Sequence, residues 1–309
     1  MPRAADIARS LLNAYAGLTF ICIGAYSAIG MTPLDAVVMG AASIATGGFA
    51  PTDSSFGKYP GAGEYVGALF MLLGALPYLR YVQLVNGQPN ALIFDRQVRA
   101  LVIWLAVAIA AVVTWRVATS NADLEPAFRE ALFNLVSVMT GTGFFSGSFT
   151  EWGPFAIFVM FMLGLVGGCS GSSSGALSVF RVLVLFEAIG RAVRQIAAPD
   201  RIMPLRYDGR VVQSDAVQGL MLYVNGYLLS IGVMSVAISL TGVDTVSAIF
   251  AVWTSIGNIG YGFGDRLAPT GTFVGFPEAA KWLLILTMLM GRLGLRLLFV
   301  VVLPRFWRA

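Results

Sequence analysis

The chain has 309 residues, of which 57% are hydrophobic and only 12% charged, with a formal net charge of +4. A soluble domain carries about 25% charged residues, so this composition, with a mean hydropathy of +0.79, excludes a water-soluble globular protein and identifies an integral membrane protein. With no histidine and only Cys22 and Cys169 as cysteines, both in apolar segments, the chain excludes a histidine proton relay or metal site, a Ser-His-Asp or Cys-His pair, a Cys-x-x-Cys motif and a disulfide framework.

A spanning helix needs about 20 apolar residues. In chain order, six stretches fit: residues 8–29, 65–85, 98–118, 155–189, 217–240 and 279–303. Arg3 and Arg9 lead straight into the first, with no cleavable signal-peptide pattern. The fourth is too long for one straight span and carries the run GGCSGSSSG (Gly167 to Gly175) in its middle. Glycine and serine weaken a helix there, and a broken helix lining a cavity accounts for that run better than a tight helix crossing.

Three short glycine segments sit between pairs of these stretches: ATGGFAPTD (Ala45 to Asp53), TGTGFFSG (Thr140 to Gly147) and SIGNIGYGFG (Ser255 to Gly264). Each ends a short amphipathic run. Asp35 stands 14 positions before Phe49, Glu130 14 before Phe144, and Ser247 14 before Tyr261, with Asp244 just upstream. The chain therefore repeats one unit three times: span, short re-entrant helix, glycine loop, span. Acidic residues favour helix N-termini, so the C-termini of the short helices, the negative ends of their dipoles, face the glycine loops and favour a cation there. Non-helical backbone at membrane depth is tolerated only where protein buries it or it lines a water-filled cavity, so three such segments point to a pore. Glycine-rich loops can aim carbonyls at a permeating cation. The bland alternative, packing glycines between spans, does not account for the repeat register.

Basic residues set the orientation. Stretches 1–10, 80–99, 181–215 and 296–309 hold 14 Arg and Lys against 6 Asp and Glu, whereas the other side holds 5 basic and 10 acidic residues. The basic side is read as cytoplasmic, with both termini. The basic residues track the loops between spans, which argues against nucleic acid as a partner. Arg181, Arg191, Arg194, Arg201, Arg206 and Arg210 serve topology, with a docking surface for a cytosolic regulator as the sharper reading. Arg80, Arg96 and Arg99 are orientation charges. Arg292 lies inside the last span, where a charge is costly. It either snorkels or donates to backbone carbonyls of the 167–175 loop. Asp53 attracts cations at the mouth or caps local backbone, and Glu151 and Asp265 are solvated loop charges.

At these residues the chain resembles the Trk–Ktr–HKT superfamily of potassium transporters, most of all its bacterial Trk-type uptake subunits. The resemblance rests on TGGF (Thr46 to Phe49) with Asp53, on TGTGF followed by GGCSGSSSG, and on NIGYG followed by MGRL (Met290 to Leu293), in matching order across essentially the whole chain. It implies an all-α polytopic membrane protein of repeated helix–pore-loop–helix units, six spanning helices plus three re-entrant pore helices, around a pseudo-fourfold pore. The units would be 1–90 with filter loop 46–49, 91–211 with filter loop 141–144 and broken helix 167–175, and 212–309 with filter loop 258–261. The implied filter is Thr46, Gly47, Gly48, Gly141, Thr142, Gly143, Asn258, Ile259 and Gly260, binding K⁺ through carbonyls. The implied gate is Gly167, Gly168, Cys169, Ser170, Gly171 and Gly175 with Arg292. The resemblance further implies K⁺ uptake at the bacterial inner membrane with no organic cofactor, a homodimer, and a cytosolic nucleotide-binding regulatory subunit. The chain departs from the pattern at Ser178, where a lysine is usual, at Gly294, where a glutamate is usual, and in showing three units where the family has four. The rival readings are a non-conducting scaffold or incomplete fragment of such a transporter and a membrane-embedded enzyme, for which the sequence lacks clustered acidic, histidine or cysteine residues.

Overall fold

In the computed structural model, residues 4–147, 149–198, 203–260, 262–267 and 272–293 are described. Arg3, Arg201, Tyr261, Gly294 and the end of the sixth stretch lie outside them. Twelve helices run in chain order: α1 (Ala4–Ala28), α2 (Pro33–Ile44), α3 (Ala62–Gly74), α4 (Tyr78–Val85), α5 (Asn90–Ile93), α6 (Arg96–Ser120), α7 (Leu124–Thr140), α8 (Pro154–Val166), α9 (Val179–Ala197), α10 (Ser214–Ser239), α11 (Thr245–Gly257) and α12 (Glu278–Leu293).

The local reasons are conventional. Thr32 caps α2 by accepting from Asp35 N, with Pro33 at the first position. Asp95 caps α6 by accepting from Gln97 N at 2.8 Å, and Asp244 caps α11 by accepting from Ser247 N at 2.9 Å. α1, α6 and α10 are long and apolar enough to cross a membrane singly. Their outward faces expose large apolar side chains such as Phe20 and Leu229, as expected where lipid is the solvent.

The arrangement repeats. α1 packs on α2 and α2 on α3; α6 packs on α7 and α7 on α8; α10 packs on α11 and α11 on α12. Neighbouring triplets interlock because α3 lies against α7 and α8 against α11. The C-terminal halves of the short helices α2, α7 and α11 are therefore largely buried, and the last ten residues of α11 include Trp253 and Ile256 at 0% exposure.

Three features differ from expectation. The stretch 65–85 is not one straight span: α3 and α4 meet at a 91° bend. Pro77 lacks a donor and biases Leu76 away from helix, and Gly74 packs against α2, where a Cβ would come within 2.9 Å of Ile44 O. α7 begins at Leu124, so Glu130 is mid-helix and not at an N-terminus. A hairpin of β1 (Arg206–Tyr207) and β2 (Arg210–Val211) stands in the basic loop, turned by Asp208-Gly209 with φ of 50° and 75°, the dipeptide that a tight hairpin turn demands. The stretch 155–189 breaks as expected, between α8 and α9.

The α8–α11 contact depends on a missing side chain. A Cβ on Gly164 would lie 2.2 Å from Cζ2 of buried Trp253, whose Nε1 donates to Phe161 O at 3.0 Å. Gly164→Ala should therefore destabilise the protein by about 1–3 kcal/mol through overpacking, seen as a lower Tm of purified protein. An unchanged Tm would show that the two triplets do not pack this tightly.

Candidate functional site

The three glycine loops share one backbone design. Each short helix ends in a bond from an amide to a carbonyl five residues back: Gly47 N to Ala42 O at 2.8 Å, Thr142 N to Ser137 O at 2.9 Å and Ile259 N to Thr254 O at 2.8 Å. This is the hydrogen bond of a Schellman-type helix end. The residue before each amide is left-handed, with φ of 49° at Thr46, 70° at Gly141 and 52° at Asn258. The residue after each is a glycine at positive φ, 66° at Gly48, 87° at Gly143 and 117° at Gly260. A side chain would be strained at any of these glycines. The negative ends of three helix dipoles thus converge on the loops.

The loops also stack head to tail. A Cβ on Gly48 would lie 2.0 Å from Thr142 O, and one on Gly143 would lie 1.7 Å from Ile259 O. Each glycine backbone therefore rests on the carbonyl of the next loop, at equivalent register. Around Gly260 no heavy atom of a described residue beyond its chain neighbours lies within 4 Å of the corresponding position. The loops surround a cavity of about 570 Å³ lined by Thr46, Gly47, Gly48, Gly143, Asn258, Ile259, Gly260 and Arg292, among others. Thr46 and Ser255 line it, and their hydroxyl oxygens are buried without a hydrogen-bond partner among the described residues. Gly141 and Thr142 are not in its lining. Thr142 is buried, its hydroxyl 2.7 Å from that of Thr140, and Gly141 faces the Gly175 amide.

The 167–178 segment packs directly against these loops. A Cβ on Gly175 would lie 2.5 Å from Gly257 O at the end of α11. Its backbone bonds are met by the bend between α3 and α4: Cys169 N donates to Ala75 O at 3.0 Å and Tyr78 N to Gly171 O at 3.0 Å. Ser170 N donates to Gln97 Oε1 at 2.9 Å. Arg292 Nη1 donates to Ser173 O at 3.0 Å, the carbonyl-anchoring role that the sequence offers for it. Arg292 also lines a second cavity of about 340 Å³, formed by residues 172–176 with Arg181 and Tyr223. Arg292 is thus common to both cavities. Gly171 faces open space, whereas Cys169 is buried. Ser178, at φ 77°, accepts from Ser170 Oγ at 2.9 Å, so this departure from the family pattern closes the loop on itself.

Sequence reasoning missed several supports. Tyr78 lies 2.9 Å from Ser173 Oγ and donates to Ile44 O at 3.1 Å, joining the 167–178 segment to the C-terminus of α2. Glu64, fully enclosed, accepts from Gly61 N at 2.8 Å, from Ser146 Oγ and from Arg129, tying α3 to the second glycine loop. The signal for Glu64 was a lone acid at the mouth of an apolar stretch. Asp53, Glu151 and Asp265 are exposed, and Asp53 caps no described backbone amide. Among the described residues no cluster of His, Cys, Asp or Glu could hold a metal ion.

Outside the spans, Asp35 at the start of α2 is held below the ordinary carboxylate range by Lys58, whose Nζ donates at 2.7 Å, and by the Tyr59 hydroxyl. A lowered folded-state pKa contributes stability that is complete above the unfolded value of about 4 and is lost as pH falls through the folded value. Asp35→Asn should lower Tm by a few degrees at pH 7, and its deficit against the unaltered protein should close below about pH 4. A deficit that is constant with pH would remove the ionised Asp35 from the argument.

Comparison with known proteins adds four findings. A family model described as TrkH, a cation transport protein, matches residues 1–306. The chain is 38% identical over 313 residues to the Trk system potassium uptake protein TrkI of Halomonas elongata, covering 100% of this chain and 63% of that one. It is 31% identical over 312 residues to the Trk system potassium uptake protein TrkH of Escherichia coli, covering 99% of this chain and 64% of that one. The crystal structure of the potassium transporter TrkH from Vibrio parahaemolyticus superposes with a TM-score of 0.92 at 28% identity, over 99% of this chain and 66% of that one. The chain spans a little under two thirds of the length of these curated relatives.

Proposed function

Because the chain belongs to the TrkH family of cation transport proteins, we propose that it conducts potassium ions inward across the bacterial inner membrane, as a multi-pass protein with both termini cytoplasmic. The observation that carries this reading is the head-to-tail stacking of three glycine loops, each left-handed at the same two positions, around one cavity. Carbonyls of Thr46, Gly47, Gly48, Gly141, Thr142, Gly143, Asn258, Ile259 and Gly260 replace the hydration shell of K⁺. The dipoles of α2, α7 and α11 favour the cation. The filter loops divide the chain into the units 1–90, 91–211 and 212–309.

The 167–175 segment is the gate. It lies against the filter, and Arg292 both fixes its Ser173 carbonyl and sets a positive charge between the two cavities. Opening requires the segment to exchange the bonds it makes to Ala75, Tyr78 and Gln97. No bond of a substrate is made or broken, and no organic cofactor takes part. The working assembly is a homodimer with a cytosolic nucleotide-binding regulatory subunit on its cytoplasmic face.

The test is rubidium-86 uptake, at low external K⁺, in bacterial cells that lack their own potassium uptake systems. Cells expressing the protein should take up rubidium, and Gly143→Asp should reduce uptake to the level of empty cells at equal membrane expression. Uptake unaffected by Gly143→Asp would remove the loops from the ion path, and none from either form would favour a non-conducting scaffold. In the same assay Arg292→Gln should raise uptake severalfold, because the gate loses both an anchor and a barrier charge. A fall or no change would take Arg292 out of gating.

A further inference from the structure

A cavity of about 550 Å³ lies beside the second half of α9, and none of its lining residues belongs to the glycine loops or to the 167–178 segment. Its wall carries Arg191, Arg194 and Arg206 against one carboxylate, Glu187. That carboxylate is already engaged, by Arg96 at 3.4 Å and by Arg194 at 3.7 Å. Arg191 and Arg206 form no ion pair with a described residue, so among the described residues the cavity presents guanidinium groups in excess of carboxylate beside the apolar Met203 and Leu205. Along α9, Phe186, Ile189, Val193 and Ile196 are 62%, 49%, 60% and 82% exposed. Spacings of three and four residues set them on one face. α9 is therefore an amphipathic helix whose Phe186–Ile196 face is not covered by the described residues, with arginines that pair with none of those residues at its edge.

We propose that this cavity binds the phosphate headgroup of an anionic membrane phospholipid, whose acyl chains lie along the Phe186–Ile196 face of α9. An amphipathic helix with basic residues at its polar edge rests in the interface of a bilayer and is drawn to anionic lipid. The guanidinium fork matches phosphate oxygens in a bidentate way. A free phosphate ion would satisfy the arginines and leave the apolar face bare, whereas a phospholipid answers both at once. The site does not depend on the ion-path reading, because it shares no residue with the filter or gate.

The experiment is native mass spectrometry of the detergent-purified full-length protein, titrated with dioleoyl phosphatidylglycerol or dioleoyl phosphatidylcholine. Phosphatidylglycerol should bind at least about tenfold more tightly than phosphatidylcholine, since each basic residue at a membrane surface contributes several-fold in affinity. Arg191→Gln with Arg206→Gln should abolish that preference, while Arg9→Gln with Arg99→Gln, which removes equal charge elsewhere, should leave it. Arg206→Gln alone, on the exposed hairpin, gives the same test where the double variant does not purify as a single species. Equal binding of the two lipids, equal loss in the charge-matched control, or displacement of the lipid by inorganic phosphate at matched concentration would overturn the proposal. So would unchanged phosphatidylglycerol binding in the double variant, and loss only of a cytosolic partner would then assign the arginines to a protein interface.

Discussion

Backbone that leaves the helix inside a bilayer has only the protein to hydrogen-bond with, and much of this structure is an answer to that constraint. At the ends of α2, α7 and α11 the answer is local, because the amide five residues on folds back to cap the helix. In the 167–178 segment it is tertiary. Its amides and carbonyls are taken up by Ala75, Tyr78, Gln97 and Arg292, from three separate helical regions. The bend between α3 and α4 exposes backbone groups at the place where the broken helix needs partners, so each irregularity satisfies the other.

That pairing ties the glycine loops and the 167–178 segment into one body. Gly175 rests on the end of α11, Tyr78 touches both the end of α2 and Ser173, and Arg292 borders both cavities. A movement of the 167–178 segment is therefore felt at the C-termini of α2 and α11. The buried Glu64–Arg129–Ser146 contacts anchor the other end of the second glycine loop to α3 and α7.

Legibility followed from chemistry that only one residue type can perform. The glycines at 48, 143 and 260 could be read because positive φ disfavours other residues at all three, reinforced at 48 and 143 by close approach to a carbonyl, and the repeat gave their register. The break at 167–175 was equally plain in glycine and serine. The 91° bend was hidden, although Gly74 and Pro77 mark it, because hydropathy runs unbroken through the stretch. Tyr78 was invisible, since its importance depends on a serine 95 positions away. Glu64 was overlooked because it stands one residue before the stretch taken as a span. The early start of α7 was lost because the repeat was aligned on its glycine loop, which fixes the end of a helix and says nothing of where it begins.

The stacking of the loops has a direction. Gly48 leans on the second loop and Gly143 on the third, never the reverse. In genetic terms the ring is ordered like a gear train. A side chain introduced at Gly143 pushes the backbone of the third loop, and one at Gly48 pushes that of the second. Suppressor mutations that compensate such a lesion should accordingly cluster one loop ahead of it in a single rotational sense, giving the loops a polarity that their near-symmetry conceals.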